Sequence, residues 1–481
     1  MTGNQKEASI EEIHRAMEEG TLTSAGLVET LTAWIEEINE AGPELRAVRM
    51  LNPDAADEAR ARDEEWQNGV RRPLQGIPVL LKDNIEAGTM PTTAGAEALR
   101  GNVTGRDAFL VKQLREAGAV ILGKTNLSEW AFFMTDGAPS GYSTVGGQVK
   151  HPHGPETFEA GSVGGSSSGS GAAVSAGMAP IAVGTETSGS ILSPASANSL
   201  VGLKPTVGAV SRNGIIPLAE SQDTAGPMAR TVRDAALLFG AITGEDESDE
   251  ITKKGETSKD YTSYLDTESL TGAIFGIDWD YAGKEGSEER RLIEEAVSTL
   301  RRRGAVVRNV TIPKAEPPHV LFYEMKRGTD AYLSASPAEI PVRSLDELLA
   351  FNREDPEGRM RFGQTLLEQA AEKSSDPDDA EYVAFRETDV RTSREEGVDA
   401  VMAEHALDGM LSVNNHGAAL PAKAGYPSIT IPVGAQENGM PVGLTITARA
   451  WEEPRLVAFG SAVEAHAGHR VVPALAVEQP N

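Results

Sequence analysis

Residues 161–206, GSVGGSSSGSGAAVSAGMAPIAVGTETSGSILSPASANSLVGLKPT, constrain the fold of this chain more than any other stretch. Glycines and hydroxyl residues crowd its two ends, whereas Ala172 to Val183 is made of small apolar residues that read as core. A flexible Gly/Ser linker has polar flanks and no buried continuation. Here the Ser/Gly run feeds a helix predicted over Ser170–Met178 and a short strand predicted over Ile181–Val183. The serines are therefore held on a scaffold. Glycine lets backbone approach backbone or ligand, and glycine repeated beside serine suits a turn whose N–H groups face developing negative charge.

A serine hydroxyl is a weak nucleophile and must pass its proton to a base. None of the eight histidines has an apolar setting with an acidic orienter. His151 and His153 bracket Pro152 in a polar loop and His416 follows Asn414 and Asn415, so they read as surface or loop residues. Lys82 differs, because it closes the apolar, strand-like run Ile77-Pro78-Val79-Leu80-Leu81. Desolvation disfavours an ammonium, and a lysine drawn into such surroundings is pushed towards the neutral amine, which can accept a proton. From the residues alone two readings of Lys82 stand: a buried base, or a strand-end lysine whose head snorkels to water.

Three motifs in order, Gly164-Gly165-Ser166-Ser167-Ser168-Gly169-Ser170, Gly184-Thr185-Glu186-Thr187-Ser188-Gly189-Ser190-Ile191 and Gly202-Leu203-Lys204-Pro205-Thr206, resemble the signature of the amidase signature family. Leu80-Leu81-Lys82-Asp83-Asn84 matches the family's lysine segment, and Ser166 precedes Ser190 by the family's spacing of 24 residues. The resemblance runs through most of the chain. It implies a catalytic triad of Lys82, Ser166 and Ser190, with Ser190 as nucleophile, a cis Gly165–Ser166 peptide bond, and an oxyanion hole from the backbone of Thr187, Ser188, Gly189 and Ser190. It further implies an amide hydrolase working through an acyl-enzyme, with no metal and no organic cofactor. The fold it implies is α/β, one large domain whose central mixed sheet of ten or eleven strands is covered by helices on both faces.

Within the family, Ser140 to Gln148, Thr185 to Thr187 and Ser221-Gln222-Asp223-Thr224-Ala225-Gly226-Pro227-Met228 resemble the peptide amidase branch. The substrate implied is a peptide C-terminal amide or an aryl or aliphatic amide. One departure matters: many members carry arginine two residues after the nucleophile, where this chain has Leu192. Without that cation, an apolar or neutral substrate is expected. The second reading, the glutamyl-tRNA amidotransferase component that makes ammonia from glutamine for a partner, is weakened. Phe132, Phe133 and Met134, unusual in a chain with 5% aromatic residues, precede a Gly-rich loop containing Tyr142. With Leu192 they are candidates for a substrate-pocket wall, core packing being the other reading.

Around this centre, strands alternating with helices predict an α/β fold with a large mixed sheet. Residues 1–70 read as an N-terminal helical arm, with a capping box at Ser9-Ile10-Glu11-Glu12 and Leu27, Leu31, Trp34, Ile35 and Ile38 at helical spacing. Residues 71–243 form the signature core, and 244–405 a helical, variable, cap-like region opening with a solvent loop at 244–266. Strands expected at Gly409–Val413, Ser428–Val433 and Val442–Thr447 return the chain to the sheet over 406–481. Gly118-Ala-Val-Ile-Leu-Gly-Lys124-Thr125 spells a P-loop, but its middle residues read as a strand after a helix, the wrong order for cradling phosphate.

Composition excludes several classes of function. Acidic residues outnumber basic ones 72 to 44, giving a formal charge of −28 that opposes nucleic acid and anionic membranes and suits solubility in salt. The absence of cysteine excludes disulfides, thiol catalysis and cysteine metal sites. No apolar run approaches a membrane span. The polar, acidic N-terminus has no secretory h-region, so a cytoplasmic monomer or homodimer acting on a small-molecule or peptide amide is expected.

Overall fold

The computed structural model describes residues 5–475, so the outer ends of the arm and of the C-terminal segment lie outside the described residues. Among them eleven strands join one sheet: β1 Val48–Leu51, β2 Pro78–Lys82, β3 Val120–Thr125, β4 Ile181–Glu186, β5 Val201–Lys204, β6 Thr224–Ala229, β7 Ile274–Ile277, β8 Val306–Asn309, β9 Gly409–Val413, β10 Ser428–Ala435 and β11 Pro441–Thr447. Their spatial order is β1-β3-β2-β4-β6-β5-β10-β11-β9-β7-β8. Strand β2 runs parallel to β3 and β4, and β7 runs parallel to β8 and β9. The remaining pairs are antiparallel, so the sheet is mixed and flanked by helices, a single α/β domain.

The parallel pairing of β2 with β4 positions the site. Leu81 pairs with Val183, so Lys82 at the end of β2 faces the Gly184-Thr185-Glu186 end of β4. Both strands are buried along their length, as expected of apolar runs covered on both faces. Strand β4 extends three residues beyond the predicted Val183, because Gly184-Thr185-Glu186 pairs with Gly226, Ala225 and Thr224 of β6.

The helix predicted over Ser170–Met178 is observed at Ser168–Ser175, wholly buried. Its end is a Schellman motif: Gly177 takes φ +72°, Met178 N–H donates to the Ala173 carbonyl at 2.8 Å and Gly177 N–H to that of Val174 at 3.2 Å. Small residues suit its place, since a Cβ on Gly171 would meet the Pro194 carbonyl at 2.8 Å. The scaffold expected beneath the serines is this helix together with β4.

The arm begins with helices Ile10–Glu18 and Ser24–Ile35, the first closed by the Ser9/Glu12 capping box, and Leu27, Leu31, Ile35 and Ile38 are buried in the main core. The P-loop look-alike is a strand, with Lys124 fully buried 3.1 Å from Asp83. Residues 244–266 are less exposed than a solvent loop: Asp246 and Asp249 are buried because Ser211 and Arg212 bond to them. Helices His319–Ala335, Leu345–Glu354 and Thr365–Ala371 build a second hydrophobic core with Ala94–Leu99, Trp130–Met134 and Ile216–Ala219. These helices thereby pack onto residues 94–99, 130–134 and 216–219, whereas residues 274–309 of the stretch expected to be a helical cap supply strands β7 and β8 of the central sheet, because β7 pairs with β9 and β8 with β7. No helix among the described residues is long and apolar enough to cross a membrane.

Candidate active site

Lys82 projects from the end of β2 into fully buried surroundings, and its Nζ lies 2.8 Å from Ser166 Oγ, 2.8 Å from Thr185 Oγ1 and 3.1 Å from the Thr185 carbonyl. Burial pulls its pKa from 10.5 down to about 7, against the opposing pull of Asp223 and Glu186. Asp83, next in sequence, points to the opposite face of the strand, as alternation requires. There it pairs with Lys124 and Arg49 and leaves Lys82 without an adjacent carboxylate. A neutral amine has two hydrogens and one lone pair. The Thr185 carbonyl can only accept, so at least one of the two hydroxyls, of Ser166 or Thr185, donates to the neutral amine if all three contacts are kept.

The Gly165–Ser166 peptide is cis, and the Ser166 carbonyl accepts the Ser128 N–H at 3.0 Å. Ser167 N–H donates to the Ser190 carbonyl at 3.2 Å, which draws the two serine segments together. Ser190 sits in the turn between β4 and the helix Leu192–Ala197. Among the described residues its hydroxyl makes no hydrogen bond within the protein, so the Lys82–Ser166 contact is formed and the Ser166–Ser190 contact is not. Lys204 of the third motif is buried elsewhere, donating to the carbonyls of Tyr426 at 2.7 Å and Pro205 at 3.0 Å.

Two carboxylates set the shape of the turn. Glu186 accepts the N–H groups of Gly189 at 2.7 Å, Ile191 at 2.7 Å and Leu192 at 3.0 Å. The Gly189 amide is therefore committed to Glu186, which separates it from the other three residues expected around an oxyanion. Asp223 accepts the Thr187 hydroxyl at 2.5 Å and the N–H groups of Leu218 and Ala219, while Gln222 Nε2 donates to the Thr187 carbonyl at 3.1 Å. In the sequence Glu186 and Asp223 stand inside stretches of Gly, Ser and Thr, and that setting, a carboxylate among the backbone donors of a turn, is the signal that marks them. Ser188 is exposed.

A cleft of about 320 Å³ opens against Thr185 and Thr187. Its far wall includes Glu324, Gly328 and Tyr332 of the cap-like region and Asp249 of the loop after the signature core, segments in which the sequence showed little chemistry. Of the expected pocket residues, Phe132, Met134 and Tyr142 line a smaller neighbouring pocket with Phe362. Phe133 is a core residue, its ring 5.1 Å from that of Phe322. Leu192 is also packed away, 1% exposed at the start of a helix with its N–H held by Glu186. His151 is buried rather than on the surface, its pKa lowered to about 3 chiefly by burial. Among the described residues no group of three or more His, Asp or Glu side chains is placed to hold a metal ion.

The family model for amidase matches residues 29–457. This chain belongs to the amidase family. It is 38% identical to a probable amidase of Arabidopsis thaliana over 95% of this chain and 90% of that one. The solved peptide amidase of Stenotrophomonas maltophilia superposes with a TM-score of 0.91 at 42% identity, covering 98% of this chain and 99% of that one. An amidase family protein of Bacillus anthracis superposes with a TM-score of 0.92 at 39% identity, covering 98% of this chain and 92% of that one. The chain is thus an amidase, an amide hydrolase with the fold of peptide amidase.

Proposed function

We propose that this amidase cleaves the C–N bond of primary amides, among them peptide C-terminal amides, through an acyl-enzyme on Ser190. The observation that carries the reading is the 2.8 Å contact between Ser166 Oγ and a buried Lys82 whose pKa is near 7. Neutral Lys82 takes the proton of Ser166 as Ser166 takes that of Ser190, and Ser190 Oγ adds to the carbonyl carbon. The oxyanion is held by backbone N–H groups of Thr187, Ser188 and Ser190, with Gly189 shaping the turn through Glu186. Collapse breaks the C–N bond, and the proton on Lys82 returns through Ser166 to the leaving nitrogen. Water then attacks the ester by the same relay and releases the acid and Ser190. Turnover closes the Ser166–Ser190 contact, as catalytic hydrogen bonds tighten on substrate binding.

The residue after the turn supports a hydrolase over a glutamine-using amidotransferase component: Leu192 is buried and offers no cation to an amino acid carboxylate. On this reading the protein is a cytoplasmic monomer or homodimer with no nucleic-acid partner, and its net charge of −28 supports the last point. The test is ammonia release from peptide amides, aryl and aliphatic amides and glutamine, with hydroxylamine present to trap the acyl group as a hydroxamate. Release from primary amides that Ser190→Ala abolishes is expected. Turnover of glutamine alone would favour the amidotransferase reading, and full turnover by Ser190→Ala would remove the nucleophile.

A further inference from the structure

Given that reading of the triad, the wall of the adjoining cleft bears on which acyl groups are taken. Four carboxylates line it, Glu220, Asp223, Asp249 and Glu324, against the single guanidinium of Arg212. Arg212 is already matched, its Nε 2.9 Å from Asp249, and Glu220 pairs with Arg327 at 2.5 Å. Asp223 and Glu324 are held by neutral donors: Thr187 and two backbone amides on the first, Ser221 and Tyr382 on the second. Burial pushes both above their ordinary carboxylate values, against the pull of Arg212 on Asp223. An independent observation lies on the same wall. Asn84 lines the cleft, is 4% exposed, and donates through Nδ2 to Thr185 at 3.0 Å, yet its Oδ1 has no hydrogen-bond partner. A buried acceptor left open beside excess carboxylate is matched by a ligand that brings N–H donors and positive charge.

We propose that this cleft is a subsite for a cationic acyl group, an ammonium or guanidinium held by the carboxylates and by Asn84 Oδ1, and that it turns away acyl groups carrying a carboxylate. Primary amides test this directly, because their leaving group is only ammonia and the rest of the molecule is acyl. With the Nα-acetyl derivatives of lysinamide, norleucinamide and isoglutamine as probes, so that the side chain carries the only charge, kcat/KM for lysinamide is expected to exceed that for isoglutamine by about 100-fold at low salt, with norleucinamide between them. The ratio is expected to shrink in 1 M NaCl, where the Debye length is about 3 Å. Glu220→Gln, a change at an exposed position of the wall, should lower the lysinamide-to-isoglutamine ratio several-fold. Asn84→Ala should weaken lysinamide more than norleucinamide. Equal kcat/KM for the three probes, or a preference for isoglutamine, overturns the subsite and leaves the hydrolase reading intact. If a wider amide panel yields no ammonia, calorimetric binding to the unaltered chain decides separately. Tighter lysinamide than isoglutamine then supports the subsite although the hydrolase reading fails, and equal or reversed binding overturns it.

Discussion

The carboxylate of Glu186 holds the Gly189 N–H at 2.7 Å, immediately before Ser190. Because the same carboxylate also holds Ile191 and Leu192, it ties the turn on both sides of the serine. Glu186→Gln keeps the size but replaces one accepting oxygen with an NH₂ that faces N–H donors. At a residue 1% exposed, each donor left unpaired costs about 1–3 kcal/mol. We expect a fall in kcat of about 100-fold with little change in KM, measured by ammonia release, and a lower melting temperature. Unchanged kcat in a destabilised variant would make Glu186 a purely structural anchor.

Lys82 gives the sign of the pH dependence. With its pKa drawn down to about 7, the neutral amine is the major form above that pH and the ammonium below it. If the neutral form is the base, kcat/KM should reach a plateau above about pH 7 and fall tenfold per unit below it. A rate that stays flat down to pH 5 would remove Lys82 from the reaction. Lys82→Ala should lose at least about 10⁴-fold in kcat, as expected when one member of a unit acting together is removed.

Thr185 makes a sharper test of the same wiring. Its hydroxyl is 2.8 Å from Lys82 Nζ, and the ammonium, with three hydrogens, gains more from such an acceptor than the amine does. Thr185→Val removes the hydroxyl at nearly constant shape. The acid limb of the kcat/KM profile should therefore move to lower pH, while the plateau falls about tenfold through loss of orientation. A limb that moves to higher pH would mean that the hydroxyl acts chiefly as a donor to the amine.

Legibility in the sequence followed the physics of each part. The strands around Lys82 and at Gly409–Val413 were readable because apolar runs bounded by polar turns leave little choice, and the Ser9 capping box marked its helix for the same reason. The strand predicted to end at Val183 runs on through residues 184–186 because their strand character comes from pairing with β6, which no local pattern records. Leu192 is a pocket candidate by its place two residues after Ser190 and Phe133 by its aromatic run before a Gly-rich loop, but a helix start and a second core turn them inward. The cleft wall was the least legible part. Asn84, Asp249 and Glu324 come from distant segments, and only the packing of the cap helices onto Ile216–Ala219 assembles them.

Gly164 links the fold to the reaction. It adopts φ +72°, and a Cβ there would meet the Ser193 carbonyl at 2.8 Å and the Pro194 nitrogen at 2.9 Å, backbone atoms of the helix that follows Ser190. Gly164→Ala must therefore push the Ser166 segment away from the Ser190 segment. Gly272, at φ +79° with nothing within 4 Å of its Cβ position, supplies the control for left-handed strain alone. For Gly272→Ala we expect a stability loss of about 1–2 kcal/mol and full activity. Gly164→Ala should lose more stability and, if it remains folded by circular dichroism, at least about 100-fold in kcat, since a misplacement of about 1 Å costs that much. Equal activity in the two variants would show that the relay tolerates movement between its serines, which the short Lys82–Ser166 contact argues against.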